Sequence, residues 1–192
     1  MKFNSKNLKT VFVVAIVLIL SIAVAFAALS TTLSITFGNI TQDTLTWNVG
    51  FETGSVSGTK SGSAAASCGT ATVTANSASI SNTVLATLHD KCTYALTIKN
   101  TGTIDALLST ISAQTPSGIT CDSSVTSKMV CGNITYKLTT DSAGNNLLAT
   151  DLNLVKTTGT LPVYLIAEYT GTEVSQSAEH SNCGFTLNYT QN

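Results

Sequence analysis

The residues of this sequence that could do chemistry are few: five cysteines, two histidines and ten acids in 192 residues. His89 and His180 lie far apart, and neither belongs to a His-Glu-x-x-His motif, so a zinc protease of that type lacks its ligands. No Gly-x-Ser-x-Gly elbow supports a serine hydrolase, and no Cys-x-x-Cys supports a zinc site. We therefore predict no catalytic, cofactor-binding or metal-binding residue. An exported hydrolase is a minor alternative. An enzymatic activity that is lost when a chelator is added would favour it.

The cysteines are better suited to disulfide bonds than to catalysis. Cys121 and Cys131 flank a short polar segment, so they are the pair that we expect first. Cys68 and Cys92 could join two strands, which would leave Cys183 over. Other pairings stay open, as do free thiols that pack as small apolar side chains.

The chain begins with three lysines and a run over 11–29 that carries no charge. Such a run is typical of a secretory signal peptide, and Ala-Phe-Ala at 25–27 has the small-x-small pattern of a cleavage site. It is also long enough for an apolar membrane-anchor helix, since about 18 to 20 apolar residues cross a bilayer. We favour cleavage, and predict a signal peptide or anchor over 1–27 and an extracellular domain over 28–192, secreted or held at the cell surface.

The chain after residue 27 is acidic but poor in charge. Nine lysines less Lys2, Lys6 and Lys9 leave six against ten acids, a formal charge of −4. Because arginine is absent as well, no basic face for nucleic acid is expected. Solubility must come mostly from hydroxyl groups, since the full sequence has 33 threonines and 22 serines, and threonine at this frequency favours strands.

Alternating apolar residues predict an all-β domain. Tyr94, Leu96 and Ile98 alternate with polar residues, Asn-Thr-Gly at 100–102 breaks the run with residues that tolerate positive φ, and the alternation then resumes. Similar runs elsewhere predict nine or ten short strands, which is typical of a β-sandwich or jelly roll. We expect Tyr94, Leu96, Ile98 and Trp47, the one tryptophan, to anchor the core.

Three segments are less regular. The Gly, Ser, Ala and Lys residues of 54–66 predict a mobile loop. Residues 147–154 fit one short helical turn. Pro162 is predicted to open a strand from Val163 to Tyr169, since proline is tolerated at the start of a strand.

The segment that follows the cleavage motif is itself a candidate strand. Residues 30–37 alternate cleanly, with Leu33, Ile35 and Phe37 on one face. After cleavage they would form a free apolar strand with unpaired backbone groups. Insertion into a neighbour's sheet would pair these backbone groups and bury the apolar side chains. A head-to-tail contact of this kind yields filaments. We predict that residues of about 28–41 are donated to the next subunit, with these three side chains as plugs.

Residues 94–106 read Tyr-Ala-Leu-Thr-Ile-Lys-Asn-Thr-Gly-Thr-Ile-Asp-Ala. Together with the basic signal that ends in alanines, the alternating strand behind it and the tryptophan-containing strand, this run resembles the TasA/camelysin family of exported bacterial proteins. The resemblance implies a jelly-roll domain, processing by a dedicated signal peptidase and assembly into biofilm fibres, with or without an accessory assembly protein. In such fibres the N-terminal strand of one subunit completes the sheet of the next. Camelysin's metalloprotease activity is not implied, because no ligand set is visible.

Two other classes stay open. One is a membrane-anchored adhesion or binding module that remains uncut and monomeric. A mature mass equal to that of the full chain would favour this alternative. The other is a type IV pilin-like subunit, whose apolar N-terminal helix forms the filament core. The sequence lacks the glycine-ended leader and following glutamate expected of such a pilin. None of these interpretations calls for a cofactor.

Overall fold

The computed structural model describes residues 45–115, 118–171 and 183–192. Within these ranges the chain forms antiparallel strands and no helix, so none of the described segments is a helix that could span a membrane. The thirteen described strands are β1 Val49–Phe51, β2 Gly54–Ser57, β3 Thr59–Ser61, β4 Thr70–Val73, β5 Ala78–Ile80, β6 Lys91–Asn100, β7 Ala106–Gln114, β8 Cys121–Val125, β9 Lys128–Cys131, β10 Ile134–Thr139, β11 Asn153–Leu154, β12 Gly159–Tyr169 and β13 Gly184–Gln191. The all-β prediction is confirmed, with more and shorter strands than expected.

The predicted N-terminal features lie outside the described residues. They comprise the apolar run of 11–29, the boundary between 27 and 28, and the donated segment of 28–41 with its three plug residues. They therefore stay predictions.

The largest sheet has seven strands in the order β1-β6-β12-β10-β9-β8, with β3 also paired to β6. Ten residue pairs join β6 to β12 in its middle. On its other side, β6 pairs with β1 at residues 98–100 and with β3 at residues 91–93. Two three-stranded sheets, β11-β7-β13 and β2-β4-β5, complete the described fold.

The sheets enclose two clusters of buried apolar side chains. The first cluster lies between the large sheet and β7 with β11, and it includes Ile98, Leu108 and Val163. The second lies between β6 and β4, and it includes Tyr94 and Leu96. Because β6 contributes side chains to both clusters, both smaller sheets pack against this one strand. Sheets packed over apolar cores in this way are consistent with the predicted β-sandwich.

Three of the four predicted core anchors are confirmed. Tyr94, Leu96 and Ile98 are 1%, 6% and 2% exposed. The prediction for Trp47 is wrong, because its side chain is 46% exposed. The strand begins only at Val49, which pairs with the last residue of β6, so Trp47 precedes the part of β1 that lies on the sheet.

The turn after β6 is held by a buried amide. Asn100 is 1% exposed; its Nδ2 donates to the carbonyls of Ile104 and Leu154 at 2.8 and 3.0 Å, and its Oδ1 accepts from Gly102 N at 3.0 Å. Contrary to expectation, no residue of 100–102 has a positive φ. Glycine is needed at position 102 for space, since a Cβ there would lie 2.5 Å from the carbonyl oxygen of Thr46.

The predicted loop over 54–66 is wrong, because it contains β2 and β3. β2 pairs with β4 and β3 pairs with β6, so the chain passes from a small sheet to the large one between them. Gly58 lies at that crossing, where a Cβ would be 2.6 Å from Cys68 Cβ and 2.6 Å from the ring of Tyr94. The helical turn expected in 147–154 is absent from the described structure, which has β11 at its end.

Pro162 lies inside β12, which begins at Gly159, four residues before the predicted start at Val163. It pairs with Thr97 of β6, whose carbonyl accepts from Glu52 N at 2.8 Å on the opposite side. The nitrogen of Pro162 therefore faces β10, whose pairing with β12 ends at Thr139 and Tyr164. No ladder hydrogen bond is lost there, which explains how the strand accommodates a proline.

Both predicted disulfides are confirmed. Cys121 and Cys131 are opposite one another in the hairpin of β8 and β9, with their Cα atoms 4.2 Å apart. Cys68 and Cys92 join β6 to the segment before β4 over 5.5 Å. In the chain-entropy model, closing loops of this size contributes about 2.5 to 3.5 kcal/mol each. The disulfides also indicate an oxidising location outside the cytoplasm.

The start of β6 is fixed by a buried carboxylate. Asp90 is 0% exposed and accepts from Ser63 N and Oγ at 2.5 and 2.8 Å, and from Ala86 N and Thr87 N at 2.8 and 2.7 Å. Burial alone would raise the pKa of Asp90, but the hydrogen bonds outweigh it and hold the pKa well below its usual range. One side chain thereby ties two loops to the start of the central strand.

We predict that Asp90→Asn lowers the free energy of unfolding by about 2 to 4 kcal/mol, because the amide offers one acceptor to four donors. The contribution of Asp90 is complete above about pH 5 and is lost as the pH falls below about 4, because the folded pKa is lower than the unfolded one. Urea unfolding between pH 7 and pH 3 would measure both effects. Exposed Asp151→Asn is the matched control, and equal stability of the two variants would contradict the prediction.

Candidate functional site

The His, Asp and Glu side chains of the described residues are spread over the fold. No group of three or more His, Cys, Asp or Glu side chains in the described ranges could hold a metal ion. His89 is exposed, and its backbone N–H donates to the carbonyl of Tyr169 at 2.9 Å. His180 lies outside the described residues. The described feature with a definite binding chemistry is an open sheet edge.

The most prominent such surface is the outer edge of β13, Gly184–Gln191. This strand pairs with β7 on one side, and no described strand pairs with it on the other. Its eight residues include no charged residue and no proline. Charges, prolines and short lengths are the usual means by which proteins protect a sheet edge from pairing, and none of them is present here.

The backbone groups on that edge can be assigned from the register. Leu108 of β7 bonds to Leu152 O and Asp151 N, so its backbone groups point away from its partner Tyr189. Tyr189 is consequently in a non-hydrogen-bonded pair, and its own N–H and C=O face outward. By the alternation of a strand, so do those of Phe185 and Leu187. A strand added to this edge would meet a regular row of donors and acceptors.

Other edges in the described ranges are less suited to pairing. The remaining edge strands have only two to five residues; β3 carries Lys60, and β8 carries Asp122 with an irregular register. The far edge of β7 is unpaired over 109–114, since β11 covers only its first two residues. That edge is shorter, and it is interrupted by Ser109, the extra residue of a β-bulge.

The solvent face of β7 and β13 holds the edge strand in place. Gln114 Nε2 donates to Thr186 Oγ1 at 2.6 Å, and Asn188 Nδ2 donates to Thr110 Oγ1 at 2.8 Å. Ser109 Oγ donates to the carbonyl of Asn188 at 3.0 Å. These hydrogen bonds join neutral groups of β7 and β13. They hold β13 against β7 without any charged side chain.

The inner face of β13 is apolar and only half-buried. Phe185, Leu187 and Tyr189 pack against the first core cluster without being sealed by it. The hydroxyl of Tyr189 is buried and has no hydrogen-bond partner among the described residues. Burial raises the pKa of Tyr189 to about 12. The core is therefore only half-closed on the side nearest the open edge.

The fifth cysteine immediately precedes this strand. Cys183 is free and half-buried, beside Tyr136. Burial raises the pKa of its thiol, and the smaller effect of the hydrogen bond from Tyr136 lowers it. The thiol is therefore mostly protonated and a weak nucleophile at neutral pH.

The structure describes β13 and its open edge, and it does not describe the predicted donor strand. The alternation of Phe185, Leu187 and Tyr189 is visible in the sequence and is typical of a strand. That its outer edge is open could not be predicted, because alternation assigns side chains to faces and does not show which strands are neighbours. The donor residues Leu33, Ile35 and Phe37 lie outside the described residues.

Two tyrosines allow a matched test of the incomplete core. We expect Tyr189→Phe to leave the free energy of unfolding unchanged or to raise it by up to about 1 kcal/mol, because it removes a buried hydroxyl without a partner. Tyr94→Phe should lower it by about 1 kcal/mol, since that hydroxyl lies 2.6 Å from Thr83 Oγ1. Urea denaturation compares the two, and a Tyr189→Phe variant less stable than Tyr94→Phe would contradict this description.

Comparison with known proteins assigns no family to the chain. No family model matches it, and neither a curated protein nor a solved structure is detectably similar to it.

Proposed function

We propose that the protein is a structural subunit of an extracellular fibre or biofilm matrix, built on a jelly-roll domain. Residues of about 28–41 of one subunit pair with the outer edge of β13 in the next. The observation that carries this proposal is the open edge of eight residues, without charge or proline, which is longer than the other unpaired edges among the described strands. Head-to-tail pairing of identical subunits does not close on itself and so gives filaments.

The two partners are complementary in chemistry. The donated segment alternates Leu33, Ile35 and Phe37 with serine and threonine, and the edge alternates half-buried apolar residues with Thr186 and Asn188. Pairing would place apolar side chains on the incomplete core and hydroxyls on the solvent face. Full burial of each apolar plug contributes about 1.5 to 3 kcal/mol, and the backbone hydrogen bonds of an added strand contribute as well.

Export is part of the same proposal. The two disulfides suit an oxidising compartment, and a signal peptidase would expose the donor strand at a new N-terminus. Assembly is then restricted to the outside of the cell, with an accessory assembly protein as a further partner. A membrane-anchored, monomeric adhesion module is the second candidate, favoured by the length of the apolar run of 11–29. A mass measurement on the exported protein separates the two, because only the subunit loses residues 1–27.

The donor strand can be tested by substitution. We expect the exported protein to form regular filaments in negative-stain electron micrographs. The triple variant Leu33→Ser, Ile35→Ser, Phe37→Ser should stay monomeric, because it removes the apolar contact. A control with Thr32→Ser, Ser34→Thr and Thr36→Ser changes the opposite face and should polymerise. Filaments formed by the apolar triple variant would refute strand donation.

The acceptor edge can be tested separately at Leu187, whose N–H faces outward. Leu187→Pro removes that donor, whereas Leu187→Ala keeps it, and both lose the leucine side chain. We expect the proline variant to require a several-fold higher concentration for filament formation than the alanine variant. Circular dichroism confirms that both retain the β fold, and equal assembly of the two would place the contact at another edge.

A further inference from the structure

Two exposed segments flank the turn that follows β6. On one side, Thr46 O accepts from Thr103 N and Asn48 O accepts from Thr101 N, each at 2.9 Å. On the other side, two backbone donors bind the same turn: Thr157 N to Gly102 O at 2.9 Å, and Lys156 N to Asp105 Oδ1 at 2.7 Å. Both segments are therefore fixed to one end of the described fold.

These segments present large apolar side chains to solvent. Leu45, Trp47 and Val155 are 62%, 46% and 52% exposed, and we call them the turn-end patch. Isolated exposed apolar residues are common, but these three belong to segments held on the same turn. Gly102 lets the backbone of 46–48 lie directly against the turn, since a Cβ at 102 would be 2.7 Å from Asn48 N. The patch is thus supported by hydrogen-bonded backbone.

The position of the patch in the chain points to its occupant. The donated segment ends at about residue 41, four residues before Leu45. A chain extends by at most about 3.6 Å per residue, so these two positions lie within about 14 Å of each other. A subunit that holds the donated strand must therefore approach the patch closely.

We propose that the turn-end patch is a second contact between consecutive subunits, covered by the copy that accepts the donor strand. This inference rests on the proposed function and adds a docking surface on hydrogen-bonded backbone to the strand exchange. Burial of a large aromatic side chain at such a contact favours assembly and fixes the angle between subunits.

Trp47 is the one tryptophan, so its fluorescence reports on the patch alone. The comparison is between filaments of the exported wild-type protein and the triple donor variant. In filaments we expect emission at shorter wavelength and several-fold weaker quenching by acrylamide. Filaments in which Trp47 is quenched as readily as in the triple variant would overturn this inference and leave the proposed function standing. If the wild type forms no filaments, both fail.

Substitution gives an independent test. Trp47→Ser should leave the fold intact, because the side chain is largely exposed, and should raise the concentration needed for filament formation several-fold. Val125→Ser is the matched control, since Val125 is 44% exposed on β8. It should assemble like the wild type. Equal assembly of Trp47→Ser and the wild type would overturn the proposed contact.

Discussion

The fold depends on one strand, β6, and on its pairing with β12 over ten residues. Inward side chains of β6 enter both core clusters, so both smaller sheets pack on it. A buried polar side chain bounds each end: Asp90 before the strand and Asn100 as its last residue. Their hydrogen bonds determine where the strand starts and where the chain turns. Loss of either would leave several buried backbone groups without partners, which is costly in a protein interior.

The same arrangement explains where the molecule is incomplete. β6 has partners along both sides, whereas β13 has a partner on one side only among the described strands. The core is sealed around Tyr94 and Ile98 and remains half-open around Phe185 and Leu187. A sheet edge that is long, neutral and backed by half-buried apolar residues is a stable place to add a strand. In the proposed function, the donor strand adds to the sheet at this open edge of β13.

Sequence patterns predicted the centre of the fold well and its margins poorly. The alternation of Tyr94, Leu96 and Ile98 was reliable because one face of that strand is fully buried. The same alternation failed for Trp47, because it specifies a face and cannot show that the paired part of β1 starts only at Val49. Short strands in 54–66 were missed because their residues are polar, and their pairing is supplied by distant neighbours. The open edge of β13 could not be predicted, because it depends on the order of strands in the sheet and no local pattern contains that order.

The most direct test of the account is amide hydrogen exchange of the exported protein before and after filament formation, resolved by peptide mass. We expect the amides of peptides covering 28–41 and 184–191 to exchange more slowly after assembly, because each segment supplies the other's backbone hydrogen bonds. The peptide of β4, which is paired on both sides, should exchange at the same rate in both states. Filaments in which 184–191 exchanges as fast as in the monomer would contradict the central claim.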